Sequence, residues 1–200
     1  RIYRRLGAVH DAGFRIFNGS ALQYLYFDGV DRSFFHQHAD RAALRRSARR
    51  IAPVLRDVER MAERPAPGDL GGLARFELAW AAHATALSIE KSLAALDYGD
   101  WRANPKSLPA PARRALARRL AELAEQQQAQ AEMLQALWLA SSEIAEFEKT
   151  AGRLRRSISE LEGAARSLRA NRPPRPPAPS SIALLDVYNE MRGQLGLPPR

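Results

Sequence analysis

The sequence predicts an all-α fold, a helical bundle with a long antiparallel helical hairpin and a Pro-rich C-terminal extension, and three observations carry that expectation. After Trp138, apolar residues fall at Phe147, Ala151, Leu154, Ile158, Leu161, Ala165 and Leu168. Their spacing alternates between four and three, so one stripe of a helix faces a partner. A segment over 70–97 carries Leu73, Phe76, Leu78, Trp80, Ala84, Leu87, Ile89, Leu93 and Leu96 on nearly all sides, the pattern of a buried central helix. Finally, Pro173-Pro174-Arg175-Pro176-Pro177-Ala178-Pro179 cannot be helical and reads as a stiff, extended spacer. The expected organisation is a helical domain over 1–171, a Pro-rich linker over 172–180 and a short C-terminal helix within 181–200.

The elements follow in chain order. Residues 2–12 read as a short helix with Ile2, Leu6 and Val9 on one side and Gly13 at its end. Phe14-Arg15-Ile16-Phe17 alternates apolar and polar, a brief extended stretch before the turn dipeptide Asn18-Gly19. Ser20 is placed to cap a helix over 21–27 by accepting a hydrogen bond from a free backbone amide, and Asp28-Gly29 closes it. Asp40 is the expected cap of the next helix, whose stripe is Leu44, Ala48, Ile51, Leu55, Val58 and Met61. Pro53 removes one backbone hydrogen bond there and crowds the preceding turn, which predicts a kink or break near 49–53. Pro65-Ala66-Pro67-Gly68 is a loop and Asp69 caps the central helix. Asp97 to Pro109 reads as a long polar connection, with Pro111 in the first turn of a helix running to about 140. That helix and its partner over 143–169 each reach about 40 Å at ~1.5 Å per residue. They pair across Ser141-Ser142, where Ser142 and Glu143 supply a cap and a favourable charge. Ile182 to Met191 forms the last helix, stopped by Gly196 and Pro198.

With 200 residues, 46% of them hydrophobic, the chain can bury a substantial core. The absence of cysteine excludes disulfides and thiolate metal sites, and leaves the compartment open. No run approaches the roughly 18 apolar residues of a membrane span, so a membrane partner is not expected. The opening Arg1-Ile2-Tyr3-Arg4-Arg5-Leu6 is amphipathic instead of a signal peptide. A chain that begins at arginine is expected to be part of a longer polypeptide. The net charge of +9 and pI near 10.7 would usually raise nucleic acid as a partner. Only Lys91, Lys106 and Lys149 among the 31 basic residues are lysines, however, and the arginines read as scattered pairs such as Arg45-Arg46 and Arg49-Arg50. A phosphate track requires a stripe, so the arginines are expected to solvate helix faces.

No self-contained catalytic constellation emerges, and no cofactor or metal is expected. His36-Gln37-His38 with Asp40 has ligand-like spacing, but residues two apart converge only on an extended strand and this stretch sits before a helix. His83, with Glu77 and Glu90 on the same helix, reads as a hydrogen-bonded core histidine beside arginine-paired carboxylates. Glu146, Glu148, Glu160 and Glu162 lie on exposed helical faces and do not form the carboxylate pair of a glycosidase. Trp101, in the predicted connection, either stacks on a sugar or partner surface or plugs the core beneath it. Tyr24, Tyr26, Phe27, Phe34 and Phe35 crowd 24–35, and short helices offer little interior to hide them. They predict an exposed apolar patch, a former interface.

Two segments resemble the helical region that follows the catalytic barrel in bacterial glycoside hydrolases related to family 20, the β-N-acetylhexosaminidases. Asn18-Gly19-Ser20-Ala21-Leu22, after Leu6-Gly7-Ala8-Val9-His10-Asp11-Ala12-Gly13, is similar to a short helix, asparagine turn and small-apolar pair in those proteins. Leu137-Trp138-Leu139, followed by Phe147-Glu148-Lys149-Thr150 and Arg153-Leu154, is similar to their last helical hairpin. Where that family usually has Arg-Pro in the hairpin turn, this chain has Ser142-Glu143-Ile144. The resemblance implies an accessory domain of a carbohydrate-active enzyme, packed beside an upstream catalytic barrel that holds the catalytic carboxylates. Asn18, Tyr24 and Trp101 would be its contacts to a carbohydrate or to the barrel. The alternative is an independent helical protein-interaction module, with nucleic-acid binding behind it.

Overall fold

The computed structural model describes residues 2–9, 12–13, 21–27, 29–30, 38–62, 69–141 and 144–175. Among them are six α-helices: α1 (Ile2–Gly7), α2 (Ala21–Phe27), α3 (Arg41–Ala62), α4 (Asp69–Ala103), α5 (Ala110–Ser141) and α6 (Ile144–Ala170). A 3₁₀ turn, Pro105–Ser107, links α4 to α5. The fold is an all-α bundle in which α5 and α6 pack as an antiparallel hairpin, α4 lies against α2, α3 and α5, and α1 rests on α3.

The all-round apolar character of α4 has a simple cause, because it serves two cores at once. One face, with Leu87, Ala94, Tyr98 and Trp101, joins Leu120 of α5 and Leu154, Leu161 and Leu168 of α6. The other, with Leu78, Ala82 and Ile89, joins Leu22 and Leu25 of α2 and Leu44, Ile51, Val54 and Val58 of α3. Enclosure begins only near Leu78. Phe76 is exposed, and Leu73 and Trp80 are half-buried, so the first turns are less covered than their composition predicts.

The hairpin stripe behaves as its spacing requires. Phe147, Ala151, Leu154, Leu161, Ala165 and Leu168 are buried, and Ile158 packs at the edge of the same cluster. Asn171 then adopts a left-handed φ of 51°. Its N–H donates to the Leu168 carbonyl at 3.2 Å and that of Arg172 to Ser167 at 3.0 Å, which together form a Schellman cap. Arg113 of α5 adds a side-chain bond to the Leu168 carbonyl at 3.1 Å.

Asp40 caps α3 as expected, accepting from the Ala42 and Ala43 amides at 3.0 and 3.1 Å. Its own amide donates to Ala12 O at 2.8 Å. The neighbouring Gly13 has φ +88°, and a Cβ there would lie 2.3 Å from that of Asp40, so a side chain is excluded on both grounds.

Three boundaries differ from expectation. The first helix ends at Gly7, five residues early, in a tight turn where Ala8 and Val9 bond to Arg5 and Leu6. The predicted break at Pro53 is absent, for α3 is one helix in which Ile51, Val54 and Val58 are held in the core on either side of the proline. The polar connection from Asp97 is helical through Ala103. Tyr98 and Trp101, three apart and fully buried, continue the apolar face of α4 past Gly99. Tertiary burial here outweighs the roughly 1 kcal/mol that a glycine costs a helix. The Asn18 turn, the Ser20, Ser142 and Glu143 caps, most of the Pro-rich linker and the 181–200 helix lie outside the described residues.

A buried polar clasp ties four helices together. Lys91 of α4 is fully buried. Its ammonium donates to the Tyr26 carbonyl near the C-terminal end of α2 and to Ser157 Oγ of α6 at 3.0 Å. Gln127 of α5 donates to the same carbonyl at 2.8 Å and accepts from Ser157 at 3.1 Å. Carbonyls in the last turn of a helix have no intrahelical partner and carry its negative dipole end, so a cation and an amide converging there satisfy both needs.

Candidate functional site

The outer surface of α3 is the strongest chemical feature that the fold presents. Leu44, Ile51, Val54 and Val58 turn inward, which leaves Arg45, Arg46, Arg49, Arg50, Arg56 and Arg60 exposed on the opposite side. At 3.6 residues per turn, spacings of four and seven return to one face. Arg45, Arg49 and Arg56 therefore form a line, with Arg46 and Arg50 beside it. The pairs that look scattered in one dimension make a stripe in three, and the i, i+4, i+11 spacing was the signal for it.

The electrostatics separate the ends of this face from its middle. Arg41, at the start of α3, bridges Asp97 and Asp100 of α4, the latter at 2.5 Å. Arg46 lies 3.9 Å from Asp40. At the other end Asp57 holds Arg60 and, across to α1, Arg5. The hydrogen bond from Arg60 is the largest influence on the Asp57 carboxyl; burial opposes it, and with the added bond from Arg5 and the charges of both arginines the carboxyl is held below its ordinary range. Arg45, Arg49, Arg50 and Arg56 have no ion pair among the described residues. Four guanidinium forks thus face solvent between Arg45 and Arg56, about 16 Å along the helix axis.

The residues singled out from the sequence do not converge. Trp101 is fully buried against Tyr98, ring centroids 5.7 Å apart, so of its two readings the structure has the core plug. Tyr24 is in the α2 backbone but its side chain is outside the described residues, as are Asn18, His36, Phe34 and Phe35. Tyr26, expected on an exposed patch, is buried, and Phe27 is half-buried. The large exposed apolar side chains among the described residues are instead Tyr3, Phe76 and Leu139.

The acidic groups are dispersed. Glu148 pairs with Arg155 at 3.4 Å, Glu162 with Arg166 at 3.7 Å and Glu90 with Arg119 at 3.5 Å, while Glu160 lies against Gly29. His38 is exposed and His83 half-buried. Among the described residues no three His, Asp or Glu side chains are grouped to hold a metal, and no helix is long and apolar enough to cross a membrane. No protein family, curated protein or solved structure matches this chain.

Proposed function

We propose that this chain is a helical interaction domain that docks an acidic protein surface through the arginine face of α3. The observation that supports it is the set of four exposed guanidinium groups without ion-pair partners among the described residues, Arg45, Arg49, Arg50 and Arg56. Arginine forks donate paired hydrogen bonds to carboxylates, and a rigid helix sets their spacing in advance. Asp40 and Asp57 bound the patch at either end, which suits a local acidic patch better than the continuous phosphate track of a nucleic acid. An accessory domain beside a catalytic barrel is one form of this function, in which the acidic surface belongs to the barrel.

The test is retention of the chain on immobilised poly-glutamate, compared with a short random-sequence DNA duplex over a salt series. The wild type should bind poly-glutamate with an affinity that falls steeply with salt. The Arg45→Glu, Arg49→Glu, Arg50→Glu, Arg56→Glu variant should lose binding. Each exposed substitution should change stability by no more than about 0.5 kcal/mol. Failure to bind poly-glutamate at low salt, or tight duplex binding that persists at physiological salt, would defeat the proposal.

A further inference from the structure

The outer face of α3 is graded and not uniformly cationic. On one side of the row formed by Arg45, Arg49 and Arg56 lie Arg46 and Arg50, both exposed. On its other side, about 70° around the axis at 3.6 residues per turn, runs a second row of Ala48, Ala52 and Leu55, each half-buried. Ala48 and Leu55 rest in part on the core that α3 shares with α2 and α4, and the remainder of each is open beside the guanidinium groups. No acidic residue falls between Arg45 and Arg56. Glu59, exposed one turn past Leu55, closes the apolar row with a negative charge, as Asp40 and Asp57 close the arginine row.

This pairing of rows selects the shape of the partner. Ala48, Ala52 and Leu55 are four and three residues apart, the interval at which one helix meets another along its length. Alanine at two of the three positions allows a close approach, because the distance between packed helices is set by the side chains at the contact. Arginines flanking such a contact occupy the place where opposite charges pair between two helices. Their stems add apolar cover while the forks reach outward. An extended acidic strand or a phosphate backbone would meet the arginines, but it has no apolar stripe to cover Ala48, Ala52 and Leu55.

We infer, resting on the docking role proposed above, that the occupant of this face is an amphipathic acidic α-helix lying along α3. Its apolar stripe covers Ala48, Ala52 and Leu55, and carboxylates four and seven residues apart face Arg45, Arg49 and Arg56. The test uses two labelled peptides of about eighteen residues, long enough at ~1.5 Å per residue to reach from Asp40 to Asp57. Both have one composition of glutamate, leucine, alanine and glutamine. In the first, glutamates and leucines form adjacent stripes of a helix; in the second, the order is scrambled so that they fall on every side. Each is titrated with the full 200-residue chain and followed by fluorescence anisotropy. The striped peptide should bind about tenfold tighter or more, the effect of burying about one further leucine-sized side chain. Ala52→Gln, which adds bulk without charge in the apolar row, should remove most of that preference with the melt unchanged. Equal affinity for the two peptides, or an undiminished preference in Ala52→Gln, in a chain that poly-glutamate still retains, would overturn the helical partner and leave the docking role standing. Absence of binding to poly-glutamate and to both peptides at low salt would defeat the docking role and this inference with it.

Discussion

Lys91 shows how a single residue can organise a bundle. A lysine with no exposed surface is rare, and it persists here because its ammonium meets a helix carbonyl and Ser157. Lys91→Met keeps the length and packing of the stem but removes the charge. The Tyr26 carbonyl would keep Gln127, whereas the negative end of α2 would lose its cation and Ser157 one of its bonds. We expect a loss of about 1–3 kcal/mol, read from urea unfolding. An unchanged or higher midpoint would show that an apolar residue serves as well, as happens for some buried charges. The clasp was only faintly legible in the sequence. Ser157 stands between Leu154 and Leu161, and Gln127 follows Ala124, so both are polar residues on apolar stripes. Their common target, a carbonyl of another helix, depends on tertiary placement that no local pattern encodes. Trp101 illustrates the converse. Its neighbours, glycine and aspartates, suggest a loop, but the burial of Tyr98 and Trp101 one turn apart extends the helix through them.

Elements with a long, regular apolar period were the most legible. The α5–α6 hairpin could be read to within a few residues because its stripe repeats over about six turns and each repeat adds the same packing. Leu161 is fully buried midway along α6, where neighbours on both sides prevent collapse into the space its side chain would leave. Leu161→Ala should therefore cost about 2–5 kcal/mol in denaturant melts, and a loss under about half a kcal/mol would show that the stripe does not pack as described. Boundaries were less legible. Pro53 is a local signal for a break, yet one lost hydrogen bond is outweighed by the core contacts of Ile51, Val54 and Val58. Past the end of α1, Ala12 accepts from Asp40, a contact 28 residues away in sequence that no local pattern signals.

For the whole molecule, the division into an inner apolar set and an outer charged set was legible, but the arginine face of α3 was not. Scattered arginine pairs become a face only once the inward side of α3 is known. The carboxylates show the same effect in reverse: many in the sequence, they form no cluster of three with one another or with histidine among the described residues. A glycosidase needs two carboxyl groups separated by roughly 5–10 Å across the scissile bond. Glu148 and Glu162 lie fourteen residues apart on α6, about 21 Å along the axis. Asp97 and Asp100 are three apart on α4, but the Arg41 guanidinium occupies the space between them. The other acids with an ion pair among the described residues are held by arginines, Asp57 by two of them. The isolated chain should therefore give no turnover of a chromogenic N-acetylglucosaminide above a heat-denatured control. The assay is sensitive because the released phenolate absorbs strongly and a single competent active site turns over repeatedly. Robust hydrolysis abolished by substituting one carboxylate, with the melting temperature unchanged, would place a catalytic pair in this chain and overturn the docking role. Absence of turnover in the chain, together with poly-glutamate binding through α3, would leave the acidic partner as the component that carries any chemistry.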